Sequence, residues 1–527
     1  MVTTTLLMRP GNAAPSSLVS SASLVSSASL ATMPSLVHEA VDRGAERDPE
    51  HLAVVMGEQS LTYGELLAVS NQLANTLIEL GAAVGDRVGL FLRKSLETVS
   101  TAYGIMKAGC AFVPIDPSIP AERLKLVVDD CDISIVITND HLAGKLSDLS
   151  VEHVIAPSMG TLSWDDVAQR SSSSPDRVVD PDDLAYLMYT SGSTGIPKGM
   201  MHSHRTSLGF GMWGVSYCGL TPQDRVASHG PLHFDISIFD IFSTGLAGAT
   251  VVLVPEPITK FPASLSQLLA DQRVTAIFTV PFALAQLASN GALADRDLSA
   301  LRWVLFGGEP FTPRHLRALM EEVPHAQFAN VYGPAEAPAC ICHLLEEPPV
   351  DETPIPIGTV SANTVATIDD DGTLTIEAPS VTLGYWNRTE LNDESLVRPG
   401  VFRTGDLVRV RDDGLYDFLG RSDRMVKTRG YRVELDEIEA ALASHPHVAE
   451  AAAFAITDGE GVVTVHAAFV GDEALTDGEL RTHAAARLPN YAMPTTLRRE
   501  TEFPRTTSDK IDRNALADNA RPKRTTS

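Results

Sequence analysis

The stretch of this 527-residue chain best equipped for chemistry is Tyr189-Thr-Ser-Gly-Ser-Thr-Gly-Ile-Pro-Lys-Gly199, directly after the apolar run Leu184-Ala-Tyr-Leu-Met188. Its three glycines let the backbone turn tightly and expose successive N–H groups. Ser191, Ser193 and Thr194 add hydroxyl donors and Lys198 adds a positive charge. Together they form an anion cradle of the kind that holds a triphosphate. It is not a Walker A loop, because Pro197-Lys198-Gly199 stands where that motif ends in Gly-Lys-Ser/Thr. A flexible surface loop explains a few glycines, but not the whole string placed after a strand. His202 and His204 resemble a metal or base site, yet nothing completes one, so both are read as structural.

A phosphate loop needs a layered scaffold to hold it, and the flanking sequence supplies one. Residues 61–80 read as a helix, with Leu66, Leu67, Leu73, Leu77 and Leu80 at helical spacing. Arg87–Leu92 reads as a buried strand, followed by a helix around 95–108 and a strand at Ala111–Ile115. Further apolar strands are expected at Ser134–Thr138, Thr250–Val254, Ala276–Val280 and Trp303–Phe306, with helical patterns between them. That alternation predicts α/β layers with mainly parallel sheets. From about 358 to 420 the pattern changes to short strands, with hairpin signals at Asp371-Gly372 and Asp413-Gly414. From about 423 a small α+β domain is expected: a helix at 434–444, strands at 449–457 and 462–470, and a helix near 477–487.

Bulk properties narrow the partners. The chain is too long for one core, so two or more domains are expected. Its formal charge of −26 repels phosphate backbones and anionic lipid, which excludes nucleic acid and membrane surfaces as partners. Five cysteines without a CxxC pair argue against a disulfide framework or zinc site and fit reduced thiols in a cytoplasmic enzyme. Residues 1–33 carry the repeat Ser-Leu-Val-Ser-Ser-Ala but no basic n-region and no uninterrupted apolar run. They read as a disordered leader, not a signal peptide.

With the phosphate loop in place, the chain resembles the adenylate-forming superfamily, specifically the adenylation domains of nonribosomal peptide synthetases. The resemblance runs from about Leu61 to Arg513 through nine motifs in the family's order. Besides the loop they are Leu61-Thr-Tyr-Gly-Glu-Leu66, Lys107-Ala-Gly-Cys-Ala-Phe-Val-Pro-Ile-Asp116, Phe234-Asp-Ile-Ser237 and Asn330-Val-Tyr-Gly-Pro-Ala-Glu336. Phe402-Arg-Thr-Gly-Asp406, Gly420-Arg-Ser-Asp-Arg-Met-Val-Lys-Thr-Arg-Gly430, Leu488-Pro-Asn-Tyr-Ala-Met-Pro494 and Asp509-Lys-Ile-Asp-Arg513 follow.

The resemblance implies a large multi-sheet N-terminal domain, residues 34–422, and a small mobile α+β C-terminal domain, residues 423–527, turning about a hinge at Asp423. It implies ATP and Mg²⁺ as cofactors, with Lys510 reaching the substrate carboxylate and α-phosphate and Glu336 holding the metal. ATP contacts fall on Thr190, Ser191, Gly192, Ser193, Thr194, Gly195, Lys198, Gly308 and Glu309, with Tyr332 stacking on adenine. Asp406 and Arg421 are expected at the ribose. Taken singly, Lys510 would read as solvated surface, Tyr332 as core and Asp406 as a turn residue; the matched motifs reverse each reading.

Asp235 sets the substrate class. In the family an Asp here pairs with the α-ammonium of an amino acid, whereas aryl-acid and fatty-acid activators generally lack it. The bland alternative is an Asp capping a helix that starts at Ile236. By local alignment the rest of the pocket is Ile236, Phe239, Thr279, Leu305, Gly307, Val331, Ala339 and Cys340. Mostly apolar walls reject charged side chains, so a small neutral amino acid is expected, alanine or glycine first and proline or a modest aliphatic next.

Three departures stand out. Ala335 replaces the usual hydroxyl residue before the Glu, Thr373–Trp386 follows the sixth motif loosely, and Ser508-Asp509 replaces the usual Asn-Gly before the lysine. The rival readings are an acyl- or aryl-CoA ligase, against which Asp235 argues, and an inactive adenylate-fold binding module. Against the latter stand the retained Lys198, Glu336, Asp406, Arg421 and Lys510. With only residues 511–527 after Lys510, a stand-alone enzyme serving a separate carrier protein is expected, with a role in natural-product biosynthesis.

Overall fold

A computed structural model describes residues 34–190, 192, 197–459, 461–505 and 511–521. The expected leader at 1–33, the loop residues Ser191, Ser193, Thr194 and Gly195, and Lys510 lie outside the described residues.

Two large sheets carry the first two-thirds of the chain. The first has nine strands, and six neighbours in its centre run parallel: Gln327–Tyr332, Trp303–Gly307, Ala276–Thr279, Arg225–Ser228, Thr250–Leu253 and Leu52–Met56. The second has seven strands, with Leu184–Thr190, Ala111–Pro114, Arg87–Phe91, Ile135–Thr138 and His153–Ile155 parallel. Both reproduce the α/β layering expected from the sequence. Strands such as Ala276–Thr279 and Ile135–Thr138 are buried at every position, as parallel strands covered on both faces must be.

The expected helix at 61–80 starts two residues late. Thr62 and Glu65 form a capping box that fixes its first residue at Tyr63 and its span as Tyr63–Glu79, leaving Leu61 in the strand Gln59–Thr62. Both Asp-Gly hairpins form: Val365–Ile368 pairs antiparallel with Thr373–Glu377, and Val401–Val410 with Tyr416–Arg421. They belong to a five-stranded antiparallel sheet.

Beyond it, Met425–Thr428 and Tyr431–Glu434 make a two-stranded hairpin. Its turn, Arg429-Gly430, has φ of +51° and +82°, the primed geometry that matches strand twist. A three-stranded sheet, Val448–Thr457, Val463–Gly471 and Thr496–Arg499, packs with the helices Leu435–Ala443 and Asp477–Ala485 around a separate cluster that includes Ile438, Leu442, Phe469 and Leu480.

Candidate active site

A cleft of about 1060 Å³, its open mouth included, lies at the carboxyl ends of the parallel strands of the nine-stranded sheet. That is where open α/β sheets place ligands, because the chain there leaves the ladder and is free to vary. Phe278, Val280, Gly307, Gly308, Val331 and Gly333 come from the strand ends. The segment His233–Ile236 and Thr190, at the mouth of the phosphate loop, close one side. The hairpin supplies Lys427, Gly430, Tyr431 and Arg432 from the other.

Asp235 faces this cleft with Oδ1 accepting the Ile236 N–H at 2.9 Å. It therefore caps the short helix Ile236–Ile238 and lines the cleft at once. Burial raises its carboxyl pKa above the ordinary value, and Lys427 is the leading opposing influence.

Around Glu336 the charges are dense. The residue is 1% exposed, accepts the Tyr385 hydroxyl at 2.5 Å, and meets Arg432 Nη1 at 2.9 and 3.2 Å. Burial pushes its pKa up, but Arg432, Lys198 and the Tyr385 hydroxyl overcome this and hold it at about 2. Lys198 lies 4.7 Å over the Tyr385 ring. A single buried carboxylate is a donor set suited to Mg²⁺ that keeps water and phosphate oxygens as its other ligands. In this arrangement Arg432 already neutralises it, so a metal fits Glu336 only where that guanidinium withdraws. Among the described residues no three His, Cys, Asp or Glu side chains cluster as a metal site.

A second group joins Tyr332, Asp406, Arg421 and Asp423. The Tyr332 hydroxyl and Arg421 Nη1 both donate to Asp406, and Arg421 Nε bonds Asp423 at 2.6 Å. Asp423 thus sits between the strand Tyr416–Arg421 and the hairpin, and Arg421 holds its pKa down against the effect of burial. The Tyr332 ring is buried, with Phe418 tilted beside it at 6.5 Å between centroids.

Several expected positions need correction. Ile236, Gly307, Val331 and Ala339 line the cleft; Phe239, Thr279, Leu305 and Cys340 do not. Thr279 points to the opposite face of its strand, 2.8 Å from His229 Nδ1, and Phe278 takes the wall position. Phe239 packs edge-to-face behind Phe278 at 5.4 Å, and Leu305 is buried two residues below Gly307 on the same strand face. Cys340 turns its thiol to the Tyr332 carbonyl. Glu309 faces away from the cleft: its oxygens accept the N–H groups of Phe282 at 3.0 Å and Gly430 at 3.1 Å, tying the hairpin turn to the helix Pro281–Asn290.

Two walls are set by backbone. A Cβ on Gly307 would meet the Val331 carbonyl oxygen at 2.2 Å, and Ala339 holds φ +54°. The sequence reading missed Phe278, Lys427, Tyr431 and Arg432. For Lys427 and Arg432 the available signal was a charged side chain inside short strand patterns, Lys427 within a motif already matched and Arg432 two residues beyond it. His202 and His204 are structural as read. His202 stacks on Tyr186, and His204 Nδ1 accepts the Val37 N–H at 3.2 Å.

A cleft of this kind, reached by Thr190 and closed by a basic hairpin, fits a nucleotide-using α/β enzyme. The chain belongs to the AMP-binding enzyme family, which matches residues 41–386, and the family's C-terminal domain matches residues 437–510. It is an AMP-forming ligase of the adenylate-forming superfamily. It is 34% identical over 92% of its length, and 99% of the relative's, to an L-proline--[L-prolyl-carrier protein] ligase of Pseudomonas fluorescens. A protein of the same name from Streptomyces coelicolor is 34% identical over 93% of this chain and 97% of its own. Among solved structures, the amide bond synthetase McbA of Marinactinospora thermotolerans superposes with a TM-score of 0.83 at 25% identity, covering 92% of this chain and 99% of that one.

Proposed function

We propose that this ligase activates a small neutral amino acid as its aminoacyl-AMP and passes it to the phosphopantetheine thiol of a separate carrier protein. Asp235 carries the reading. A carboxylate among hydrocarbon walls needs a cationic partner, and the α-ammonium of an amino acid supplies one.

In the first step the amino-acid carboxylate attacks the α-phosphorus. An O–P bond forms, the bond to the β-phosphate breaks, and pyrophosphate leaves with the electron pair. Negative charge crowds that transition state, so orientation and positive charge do most of the work. Lys198 and, by resemblance, Lys510 supply the charge. Mg²⁺, when bound, would neutralise the departing phosphates, with Glu336 as its protein ligand; Ala335 offers no hydroxyl beside it. Asp406, oriented by Tyr332 and Arg421, is the acceptor for the ribose hydroxyls. In the second step the carrier thiol loses its proton, attacks the acyl carbon and releases AMP. Residues 34–422 act as the substrate-binding domain and 423–527 as a lid hinged at Asp423.

The walls Ile236, Phe278, Val280, Val331 and Ala339 are apolar. Two relatives are named as L-proline ligases, and a ring of methylenes suits such walls, so proline is placed ahead of alanine and glycine. Hydrocarbon pockets separate neighbours by only about 1–3 kcal/mol per methylene, so close analogues should also be accepted weakly. A cytoplasmic setting belongs to the same reading, supported by five free, buried thiols.

The test is ATP–pyrophosphate exchange driven by proline, alanine, glycine, other proteinogenic amino acids, benzoate and short fatty acids. Exchange with proline or another small neutral amino acid supports the reading, and loading of a discrete carrier completes it. Exchange only with organic acids removes the role given to Asp235 and makes the chain an acyl-CoA ligase.

A further inference from the structure

We infer that Lys94 is a positioning residue for the amino-acid site: it grips, from outside the cleft, the backbone segment that carries Asp235. The inference deepens the proposed function and rests on it.

Residues 229–240 leave the strand Arg225–Ser228, turn through Pro231 and re-enter helical structure at Ile236. Four cleft residues, His233, Phe234, Asp235 and Ile236, ride on this segment. Internally it is held by Ser237, whose hydroxyl donates to the carbonyls of Leu232 at 2.9 Å and Phe234 at 2.6 Å. Those bonds fix its shape but not its placement in the molecule.

Placement comes from the other large sheet. Lys94 lies between the strand Arg87–Phe91 and the helix Leu96–Lys107 of the seven-stranded layer. Its Nζ donates to the carbonyls of Ser228 at 2.6 Å and His229 at 3.0 Å, where the segment leaves its strand. The far end carries Asp240, fully buried in the π turn Phe239–Ser243; its carboxyl oxygens have no hydrogen-bond partner and burial raises its pKa, with Lys94 the leading opposing charge. One ammonium thus binds the exit of the segment directly and acts on its re-entry through charge alone.

A buried ammonium is commonly no more stabilising than hydrocarbon of the same volume, and its better-attested use is to specify one geometry among several. Here the geometry concerned is the direction of Asp235. The same charge acts on the two histidines of the segment. Burial and then Lys94 hold His229 down at about 3. Burial also lowers His233, with Lys94 assisting against Asp116 and Glu256. Asp235 is then the charged side chain that this segment presents to an incoming ammonium.

The full-length chain tests this. Lys94→Met alone would leave the buried Asp240 carboxyl without the cation that lowers its pKa, so the informative variant is Lys94→Met/Asp240→Leu, with Lys94→Arg as the conservative control. Hydrogen exchange by mass spectrometry reads the segment without any turnover. Peptides within 229–240 should exchange about tenfold faster in the double variant, while the remaining sheet keeps its protection. In pyrophosphate exchange with proline as the probe, the amino-acid KM should rise about tenfold or more and the ATP KM stay within about twofold, with Lys94→Arg between the double variant and wild type. Unchanged protection of 229–240, or equal losses in both KM values, would overturn the inference. Absence of any amino-acid-dependent exchange in the wild type would instead overturn the proposed function, and the hydrogen-exchange result would still decide whether Lys94 grips the segment.

Discussion

At Asp235 the two readings weighed from the sequence, helix cap and substrate partner, coexist in one side chain. Its carboxyl pKa lies above the ordinary aspartate value because burial disfavours the charge. An ammonium binds only the ionised form, so binding must expel the proton from whatever fraction carries one. Amino-acid affinity should therefore fall as pH drops through the raised pKa, at higher pH than an exposed aspartate would give. KM for the amino acid measured against pH, with KM for ATP alongside, checks this. Lys427→Met removes the charge that pulls the pKa down, so the acid limb should move to higher pH. Asp235→Ala should raise the amino-acid KM on the order of 100-fold, about 3 kcal/mol, with ATP binding spared. An unchanged amino-acid KM would count against the assignment. Lys510→Ala should abolish exchange and leave the circular dichroism spectrum intact.

Among the elements, the hairpin Met425–Glu434 brings Lys427, Gly430, Tyr431 and Arg432 to the cleft. Gly430 is the tight point. It has φ +82°, and an added Cβ would lie 2.5 Å from Val280 Cγ1. Gly430→Ala should cost about 1–2 kcal/mol in hairpin docking. Faster tryptic cleavage after Arg429, followed by mass spectrometry, is the expected sign. The strand runs themselves were legible in the sequence, because parallel strands covered on both faces are continuous apolar runs. For the same reason the wall residues were not. In Ala276–Thr279 every position is buried, so no alternation tells that Phe278 rather than Thr279 faces the cleft. Lys427 and Arg432 reach the cleft only through docking between distant parts of the chain, which local pattern does not encode.

For the molecule as a whole, buried histidines set the acid limit. Desolvation lowers His202 and His204 to about 4 each, from an unfolded value near 6.5. The unfolded chain therefore binds more protons below pH 6.5. The stability contributed by neutral burial is complete above that value and is lost as pH falls toward 4, up to about 3 kcal/mol for each residue. Urea midpoints should drop between about pH 7 and pH 5. His204→Asn, which keeps an acceptor near the Val37 N–H, should show a smaller drop and a lower starting stability.

The backbone-set walls of the cleft bear on how such an enzyme changes its diet. Gly307 has no room for any side chain, and Ala339 sits in a left-handed conformation that larger residues, above all β-branched ones, adopt at a cost. Mutation cannot explore these positions freely. Drift or design toward a new substrate has to run through Ile236, Phe278, Val280 and Val331, and a library confined to those four sites would sample most of the accessible variation in this wall.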